Sequence, residues 1–584
     1  MTTTHIQKLQ ATAGLYSLSD LLGYSAKGFA YILYGISDDY KYIQFDIAKR
    51  SGGKRIISAP IPELKILQRR LAELLEACIV DIDNARKLKN TFSHGFRPKH
   101  SIMTNASFHR KRRWVFNVDL QDFFGTINFG RICGFFAKNK YFQLDPTVAR
   151  IIAQIACHEK KLPQGSPCSP VIANLIAHIL DVKLARLASS YGCFYTRYAD
   201  DLTFSTNSEI FPEVIASRID GSNEWTAGKK LLRIIKDCAF EANPTKTRMQ
   251  FREFRQDVTG LVVNSKINVR TDYVKSARAM VDSLVESGEF YIKRRFRDES
   301  GAFRDETEKG EPDVLRGMLT FIDSVRQFDA LKNVRDIEKA DHRPTRPLAK
   351  DLSSADRTFR RFLLYTQFHN PKKPLIICEG KTDKVYIRCA LKQRADKFPD
   401  LSKKEDGGTD GKLAFFNYSK VADRILHMGG GTGDTDAFIA RYGKEFKGFF
   451  ENKKQHPVIV LADNDSGAKA TFGVVKKAGN MSFLDGSAPY YYICRNLYII
   501  FIQKIDGKDT TIEDLFDKSV RETELNGKKF SGSDKFDAKT EYGKHLFAEY
   551  VIKPKQEEID FSKFDSILKS IVDVLADFEK RQPA

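Results

Sequence analysis

The chain has 584 residues, 42% hydrophobic and 29% charged, with 95 Lys and Arg against 75 Asp and Glu and a formal net charge of +20. That length predicts three or more folding units, and the ordinary apolar content excludes a wholly disordered chain. No apolar run approaches the roughly 18 residues of a membrane span, and the N-terminus MTTTHIQKLQ lacks a charged region leading into an apolar core, so neither a membrane helix nor a secretory signal is expected. Nine cysteines are scattered singly without a CxxC pair, which argues against a disulfide framework or structural zinc and fits a cytoplasmic location. The charge is uneven, +16 on residues 1–370 and +4 on residues 371–584. A basic front two-thirds points to a polyanionic partner, because Lys and Arg docked on phosphates release counterions.

In chain order, residues 1–110 read as basic and mixed helical, with a turn at Ser51-Gly52-Gly53 and breaks at Pro60 and Pro62. Residues 111–265 alternate strand-like runs (Trp114–Leu120, Gly192–Tyr198, Leu202–Ser205, Gly260–Val263) with amphipathic helices, one over Val171–Leu180. Residues 270–365 are rich in Lys, Arg and Glu and read as helical, with a basic cluster at Lys293, Arg294, Arg295 and Arg297 that is either a polyanion-contacting patch or a solvated helix face. His342–Pro347 reads as a polar loop, and Asn370-Pro371-Lys372-Lys373-Pro374 as a boundary, since paired prolines resist both helix and central strand. Beyond it, a buried strand Leu375–Cys378, a helix and a buried strand Val458–Leu461 are the mark of a parallel α/β sheet. Tyr490–Ile502, broken by Cys494, Arg495 and Asn496, reads as further buried strands. The fold class is therefore a multidomain α/β and α+β chain.

Tyr198-Ala199-Asp200-Asp201 falls between Phe194–Arg197 and Leu202–Ser205, both strand-like. A tight turn there sets two carboxylates at a hairpin tip, where they repel unless a cation neutralises them. The apolar strand Val115–Leu120 carries Asp119 near its end. On a neighbouring strand, Asp119 completes a cradle for two metal ions about 4 Å apart, suited to activating a 3′-oxygen and stabilising a leaving pyrophosphate. Isolated acidic pairs are usually turn or cap residues, so the surroundings decide. Leu162-Pro163-Gln164-Gly165-Ser166-Pro167 lies between the two acidic strands, and Ser169-Pro170 leads into a helix. Together these strings resemble the reverse transcriptase family: VDLQDFF its first catalytic motif, LPQGSPCSP its template- and nucleotide-binding motif, and YADD its catalytic hairpin. The resemblance implies that Asp119, Asp200 and Asp201 bind catalytic Mg²⁺, that Phe124 screens the sugar 2′-position of the incoming dNTP, and that Gln164 and Gly165 lie against the nascent base pair. Gly53–Pro60 and His94-Gly95-Phe96-Arg97-Pro98 look like finger motifs, which makes Arg55 and Arg97 candidates for gripping the triphosphate. Cys168, inside the second motif, is expected to have no chemical role.

Two strings narrow the resemblance. Asn105-Ala106-Ser107-Phe108-His109 fits NAxxH and Val258-Thr259-Gly260 fits VTG, preceded by Asn243-Pro244-Thr245-Lys246-Thr247; all three look like features of bacterial retron reverse transcriptases. That implies a structured noncoding RNA as template and partner, priming from a guanosine 2′-hydroxyl, and a branched RNA–DNA product, multicopy single-stranded DNA. The basic helical segment would be the thumb and the reader of RNA stem-loops, consistent with duplex RNA being recognised through backbone shape.

A second acidic constellation follows. Leu375–Cys378 ends in Glu379-Gly380, with Asp383 four residues after Glu379, and Val458–Ala462 ends in Asp463-Asn464-Asp465. In open parallel sheets, sites form at the carboxyl ends of strands, so Glu379, Asp463 and Asp465 are expected to converge and to hold a divalent ion. This pattern resembles the TOPRIM domain of topoisomerases, primases and overcoming-lysogenization-defect nucleases over residues 371–584, with Ala468 where a glycine often follows. The resemblance extends to Asp383, to Glu513 in Thr511–Phe516, and to Lys544 in Tyr542-Gly543-Lys544-His545, and implies Mg²⁺ or Mn²⁺; Lys544 would stabilise charge on the scissile phosphate. Gly429–Gly433 is either a phosphate cradle or, the preferred reading, a plain flexible loop.

Taken together, these features describe a right-hand polymerase followed by a TOPRIM-like domain. The N-terminal region and fingers span 1–110, the palm 111–265, the thumb 266–370 and the TOPRIM-like domain 371–584. The resemblance implies an antiphage system in which the polymerase and its hybrid product, in a homo-oligomer, restrain a nuclease until infection. A group II intron or diversity-generating reverse transcriptase is one alternative; a C-terminal domain that only scaffolds the hybrid is another.

Overall fold

In the computed structural model, Tyr42–Ala48 (β1) and Lys54–Pro60 (β2) pair as an antiparallel ribbon. Trp114–Leu120 (β3), Phe194–Tyr198 (β4), Asp201–Thr206 (β5) and Ala242–Phe251 (β6) form an antiparallel sheet in the order β4-β5-β3-β6. The structure describes residues 3–48, 54–86, 92–222, 224–297, 303–337, 351–405, 408–451, 456–533 and 535–582. The turn at 51–53 and the loop at 342–347 lie outside the described residues. The chain divides into two compact units, one of Met1–Tyr273, Lys293–Glu306 and Ser324–Lys339, the other of Val274–Ile292, Thr307–Asp323 and Ala340–Ala584.

In the first unit, β3 is buried from Val115 to Leu120, its apolar residues carrying Asn117 and Asp119 inside with them. Helix Ser169–Ser190 packs on the sheet through Ile176, Leu180, Leu184 and Leu187. Pro170 in its first turn costs no hydrogen bond, since those amides have no intrahelical acceptor. This helix runs ten residues past the expected end at Leu180. Asp181, which broke the apolar run, is itself fully buried and paired with Arg197.

Helix Ile102–Ser107 starts with a capping box between Ser101 and Thr104. Two short strands, Asp257–Val258 and Leu261–Val262, pair across a turn with Thr259 at φ 47° and Gly260 at φ 81°. Two successive left-handed residues suit a two-residue hairpin loop. The Thr259 hydroxyl donates to the Ile102 carbonyl at 3.3 Å, so the NAxxH and VTG strings, remote in sequence, meet in space.

The second unit holds a five-stranded sheet. Leu375–Cys378 (β7), Ala414–Phe415 (β8), Val458–Ala462 (β9), Tyr491–Cys494 (β10) and Leu497–Phe501 (β11) are ordered β8-β7-β9-β11-β10, parallel except for β10 at one edge. The expected parallel α/β core is therefore present. Arg495, at φ 56°, turns β10 into β11 where the polar break was read. The segment read as wholly helical contains helices Thr271–Ser287, Pro312–Ile337 and Ser354–Leu364, but also a two-stranded sheet of Tyr291–Arg297 and Phe303–Lys309. The Lys, Arg and Glu content there favours helix, and strand pairing overrides it. Lys293 is thus on a strand, not a helix; the side chains of Arg294, Arg295 and Arg297 lie outside the described residues. The second unit includes residues 274–292 and 307–323 and extends across the proline-marked boundary. Inside it, Arg361 pairs with Asp282 and Arg360 with Glu445. Among the described residues, no helix is long and apolar enough to cross a membrane.

His109 is fully buried, with Nδ1 2.7 Å from the Ser205 hydroxyl on β5 and Nε2 2.7 Å from the Thr196 hydroxyl on β4. Burial first, then Arg112 and His94, push its pKa down to about 3 from the ordinary 6.5. Between these values the unfolded chain takes up a proton that the folded chain refuses, so stability falls as the pH falls. His109→Gln is expected to reduce the loss of melting temperature between pH 7 and pH 5; an unchanged slope would dismiss the neutral bridge.

Candidate active sites

The first acidic site is built on register. Asp119 on β3 lies directly opposite Asp201 on β5, while β4 pairs Tyr198 with Asp201 and leaves Ala199 and Asp200 as the turn. Ala199 takes φ 56°. The Leu120 amide donates to the Asp200 carbonyl at 2.9 Å, tying the end of β3 to the hairpin tip. The three carboxylates predicted from sequence are thereby gathered.

Two glycines let other segments approach. A Cβ on Gly95 would stand 2.5 Å from the Ala199 amide nitrogen, and one on Gly165, at φ 126°, would stand 2.6 Å from the Ser58 carbonyl oxygen. The His94-Gly95 segment lies along β4, its His94 amide donating to the Arg197 carbonyl at 2.8 Å. The Gln164–Gly165 loop is fixed to β2, with the Ser58 amide donating to the Gln164 carbonyl at 2.8 Å, and to helix Pro62–Arg86 through the Ser166 hydroxyl on Gln68 Oε1 at 2.8 Å. Phe124 packs against Phe96 and Phe123. Arg55 is exposed and its charge acts on Asp200. Arg97 is instead paired with Asp83 at 3.5 Å. Burial pushes the Cys168 thiol up to about 12, so it stays protonated and unreactive.

What the sequence reading missed is the support. Arg197, fully buried, donates from Nε and Nη2 to the two oxygens of Asp181 at 2.7 and 2.8 Å and from Nη1 to the Ala199 carbonyl at 2.9 Å. The Tyr195 hydroxyl donates to Asp181 at 2.8 Å, and Asn174 Nδ2 to the Gly95 carbonyl at 2.8 Å. The available signals were an acidic residue inside an apolar helix and an arginine just before the acidic pair.

Burial first, then Asp119, raises the pKa of Asp200; burial, then Asp200 and Asp119, push Asp201 up to about 6. Lys246 Nζ stands 2.9 Å from Asp119 Oδ2, a hydrogen bond that raises the lysine's own pKa. Three gathered carboxylates, two of them pushed toward the protonated state, with a cation already drawn to the third, fit a divalent ion.

The second acidic site lies at the carboxyl ends of β7 and β9. Glu379 Oε1 accepts from the Thr432 hydroxyl and Oε2 from the Asp463 amide at 3.3 Å. Asp463 Oδ1 accepts from the Ile512 amide at 3.0 Å. Asp383 is the first residue of helix Asp383–Gln393, and its Oδ2 accepts from the Gly380 amide at 2.8 Å. Lys544 Nζ lies 3.2 Å from Glu513 Oε2. Thr511 and Asp514 form a capping box, leaving the buried Glu513 to the cluster. Asp465 is placed differently: its Oδ1 accepts from the Gly467 and Ala468 amides at 2.8 and 3.2 Å, capping helix Ala468–Ala478.

Burial, then Asp383, Glu379 and Glu513, push Asp463 up to about 8 against the pull of Lys544. Burial likewise heads the causes that raise Asp383 and Glu513. Glu513 Oε1 is buried with no hydrogen-bond partner. Four carboxylates against one lysine, with an orphaned oxygen, fit a divalent ion. Among the described residues no three Asp, Glu, His or Cys side chains are grouped closely enough to hold a metal ion as they stand: Lys246 is bonded to Asp119, and backbone amides or Thr432 are bonded to Glu379, Asp383 and Asp463.

The glycine loop is neither free nor a phosphate cradle at two of its amides. The Gly429 amide donates to Asp434 Oδ2 at 2.7 Å and the Gly431 amide to the Glu379 carbonyl at 3.3 Å.

Residues 47–269 match the family model for reverse transcriptases (RNA-dependent DNA polymerases). The retron Mx65 reverse transcriptase of Myxococcus xanthus is 34% identical over 272 residues, covering 44% of this chain and 59% of that protein. The retron Ec86 reverse transcriptase of Escherichia coli is 31% identical over 253 residues, covering 42% of this chain and 71% of that one. The chain belongs to the retron reverse transcriptases. It spans 59% and 52% of the length of the Mx65 and Mx162 retron reverse transcriptases. The reverse transcriptase family match falls on the unit that carries Asp119, Asp200 and Asp201.

Two outcomes follow from these geometries. Arg197→Met leaves Asp181 as a buried unpaired charge, which should cost about 3–5 kcal/mol and loosen the hairpin; Asp181→Leu added to it should restore part of the lost melting temperature. In the metal-free chain Asp463 holds a proton when folded up to about pH 8 but releases it near 3.8 when unfolded. Stability is therefore present at low pH and lost as the pH rises between these values. Asp463→Asn should raise the pH 8 melting temperature by about 2–4 °C, with no gain at pH 4.

Proposed function

We propose that this chain is the RNA-directed DNA polymerase of a retron, making branched multicopy single-stranded DNA from its own noncoding RNA. The observation that carries this is the Asp119–Asp201 register with Asp200 at the hairpin tip. Two Mg²⁺ ions held by Asp119, Asp200 and Asp201 would supply activation of the primer hydroxyl and stabilisation of pyrophosphate. The protein's own part is placement. Arg55 meets the triphosphate, Phe124 limits the sugar 2′-position, and Gln164 and Gly165 set the floor beneath the nascent pair. Arg197 holds the turn that presents Asp200, and Lys246 balances Asp119 until nucleotide and metal arrive. RNA and single-stranded DNA are the macromolecular partners.

For the second unit, the reading supported best is a TOPRIM-like, metal-dependent nuclease acting as the effector of antiphage defence. Its support is the convergence of Glu379, Asp383, Asp463, Glu513 and Lys544 at one edge of a parallel sheet. Lys544 is suited to charge developing on a scissile phosphate. Restraint by the polymerase and its hybrid product would keep this activity silent before infection.

Asp200→Asn/Asp201→Asn should reduce extension on the cognate noncoding RNA to background and abolish the 2′–5′ branched product in cells. Glu379→Gln and Asp463→Asn should leave extension intact and abolish Mn²⁺-dependent cleavage of tRNA, single-stranded DNA or plasmid by nucleic-acid-free protein, together with phage protection. Undiminished protection would reduce the second unit to a scaffold.

A further inference from the structure

Thr432 opens helix Thr432–Glu445, and its hydroxyl donates to Glu379 Oε1. The chain must turn sharply to deliver it. Gly430 and Gly431 take φ 107° and 94°, conformations that side chains resist. A Cβ on Gly429 would stand 2.8 Å from Asp423 Oδ1. The turn is thus built to hold Thr432 against one carboxylate.

The same turn is anchored at its other end. It grows from the π-helical residues Ala422–Leu426 and the left-handed His427. Arg424 pairs with Asp323 of helix Pro312–Ile337 and, at 3.0 Å, with Asp356 of helix Ser354–Leu364. Arg360 of the latter helix donates to the Ile425 carbonyl at 2.6 Å. Arg424 is only about one-fifth exposed, so these charge-assisted bonds are not readily replaced by water.

We propose that Thr432 is a positioning residue that orients Glu379 toward a divalent cation, and that Arg424 makes this orientation depend on the placement of the helices carrying Asp323 and Asp356. This rests on the metal-dependent nuclease reading above. With one donor on each oxygen, Glu379 is held in a single rotamer while keeping acceptor capacity for an ion. Outer partners of metal-binding carboxylates typically control affinity by about 10–100-fold. A shift of either helix breaks a bond of Arg424, five residues before Gly429. The helical segment would in this way set the metal affinity of the second site.

The test uses the full chain, freed of nucleic acid, in an Asp119→Asn/Asp200→Asn/Asp201→Asn background that removes the first site's carboxylates. Mn²⁺ binding is followed by electron paramagnetic resonance and by the metal-induced rise in melting temperature. Thr432→Val should weaken Mn²⁺ binding by about tenfold or more with little change in metal-free melting, and Thr432→Ser should restore it to within about twofold. Thr432→Ala removes the same hydroxyl with a smaller side chain and is read identically should the valine variant fold poorly. Arg424→Gln and Asp323→Asn/Asp356→Asn should each weaken binding in the same direction. Unchanged Mn²⁺ binding in the Thr432 variants would overturn the positioning role, and weakening there without weakening in the Arg424 variant would overturn the dependence on the helices. If Glu379→Gln binds Mn²⁺ as tightly as the unaltered site, the metal reading itself fails, and the proposal with it.

Discussion

A single buried ion pair, Arg197 with Asp181, is the constraint on which the first unit's site depends. Both side chains are fully buried, so their charges are tolerable only because the fork of the guanidinium meets both carboxylate oxygens. The pair joins a helix to the strand that ends in the acidic turn, and the remaining guanidinium donor holds the Ala199 carbonyl. Two adjacent aspartates at a hairpin tip repel each other, and a turn left to itself would relieve that by swinging open. The Arg197–Asp181 pair is placed to oppose this. The close approach of Gly95 and the hydrogen bond from Asn174 to its carbonyl brace the turn from a second side.

The two acidic sites answer the same electrostatic problem differently. At the first, the lysine on Asp119 is more than half exposed, so an incoming ion or nucleotide can displace it at little desolvation cost. At the second, Lys544 is less than a third exposed and bonded to a glutamate that is almost wholly buried. Asp383, Asp463 and Glu513 around it are pushed toward the protonated state, burial first among the causes. The first arrangement suits a site that turns over, and the second a site held closed by its own network. That contrast accords with the polymerase and the silent effector proposed above.

Much of this was legible in the sequence, for identifiable reasons. β3 and β7 fall on the residues read as strands because each is a short, largely apolar run with a carboxylate at or near its end, and the acidic turn was flagged by two strands flanking a pair of aspartates. The failures share a cause as well. Asp181 looked like a helix end because burial of a charge is disfavoured, and its partner lies in another element. The strands Tyr291–Arg297 and Phe303–Lys309 looked helical because their Lys, Arg and Glu content favours helix and only pairing makes them strands. Asp465 looked equivalent to Asp463 by alternation, whereas the chain leaves the strand after Ala462 and turns Asp465 to the next helix's amides. Thr432 and Arg424 carried no signal, since their partners lie 53 and 101 residues away.

The order of these residues along the chain has a consequence for biosynthesis. Asp119, Asp200, Asp201 and Lys246 all precede the second unit's acidic residues, and Lys544 follows Lys246 by 298 residues. At synthesis rates of about 5–20 residues per second, that interval is roughly 15–60 s. The unit that carries the first acidic site can emerge and fold while the second cluster still lacks Glu513 and Lys544. Under the restraint proposed above, chain order alone would give the restraining half a head start over the half it restrains, in every molecule made.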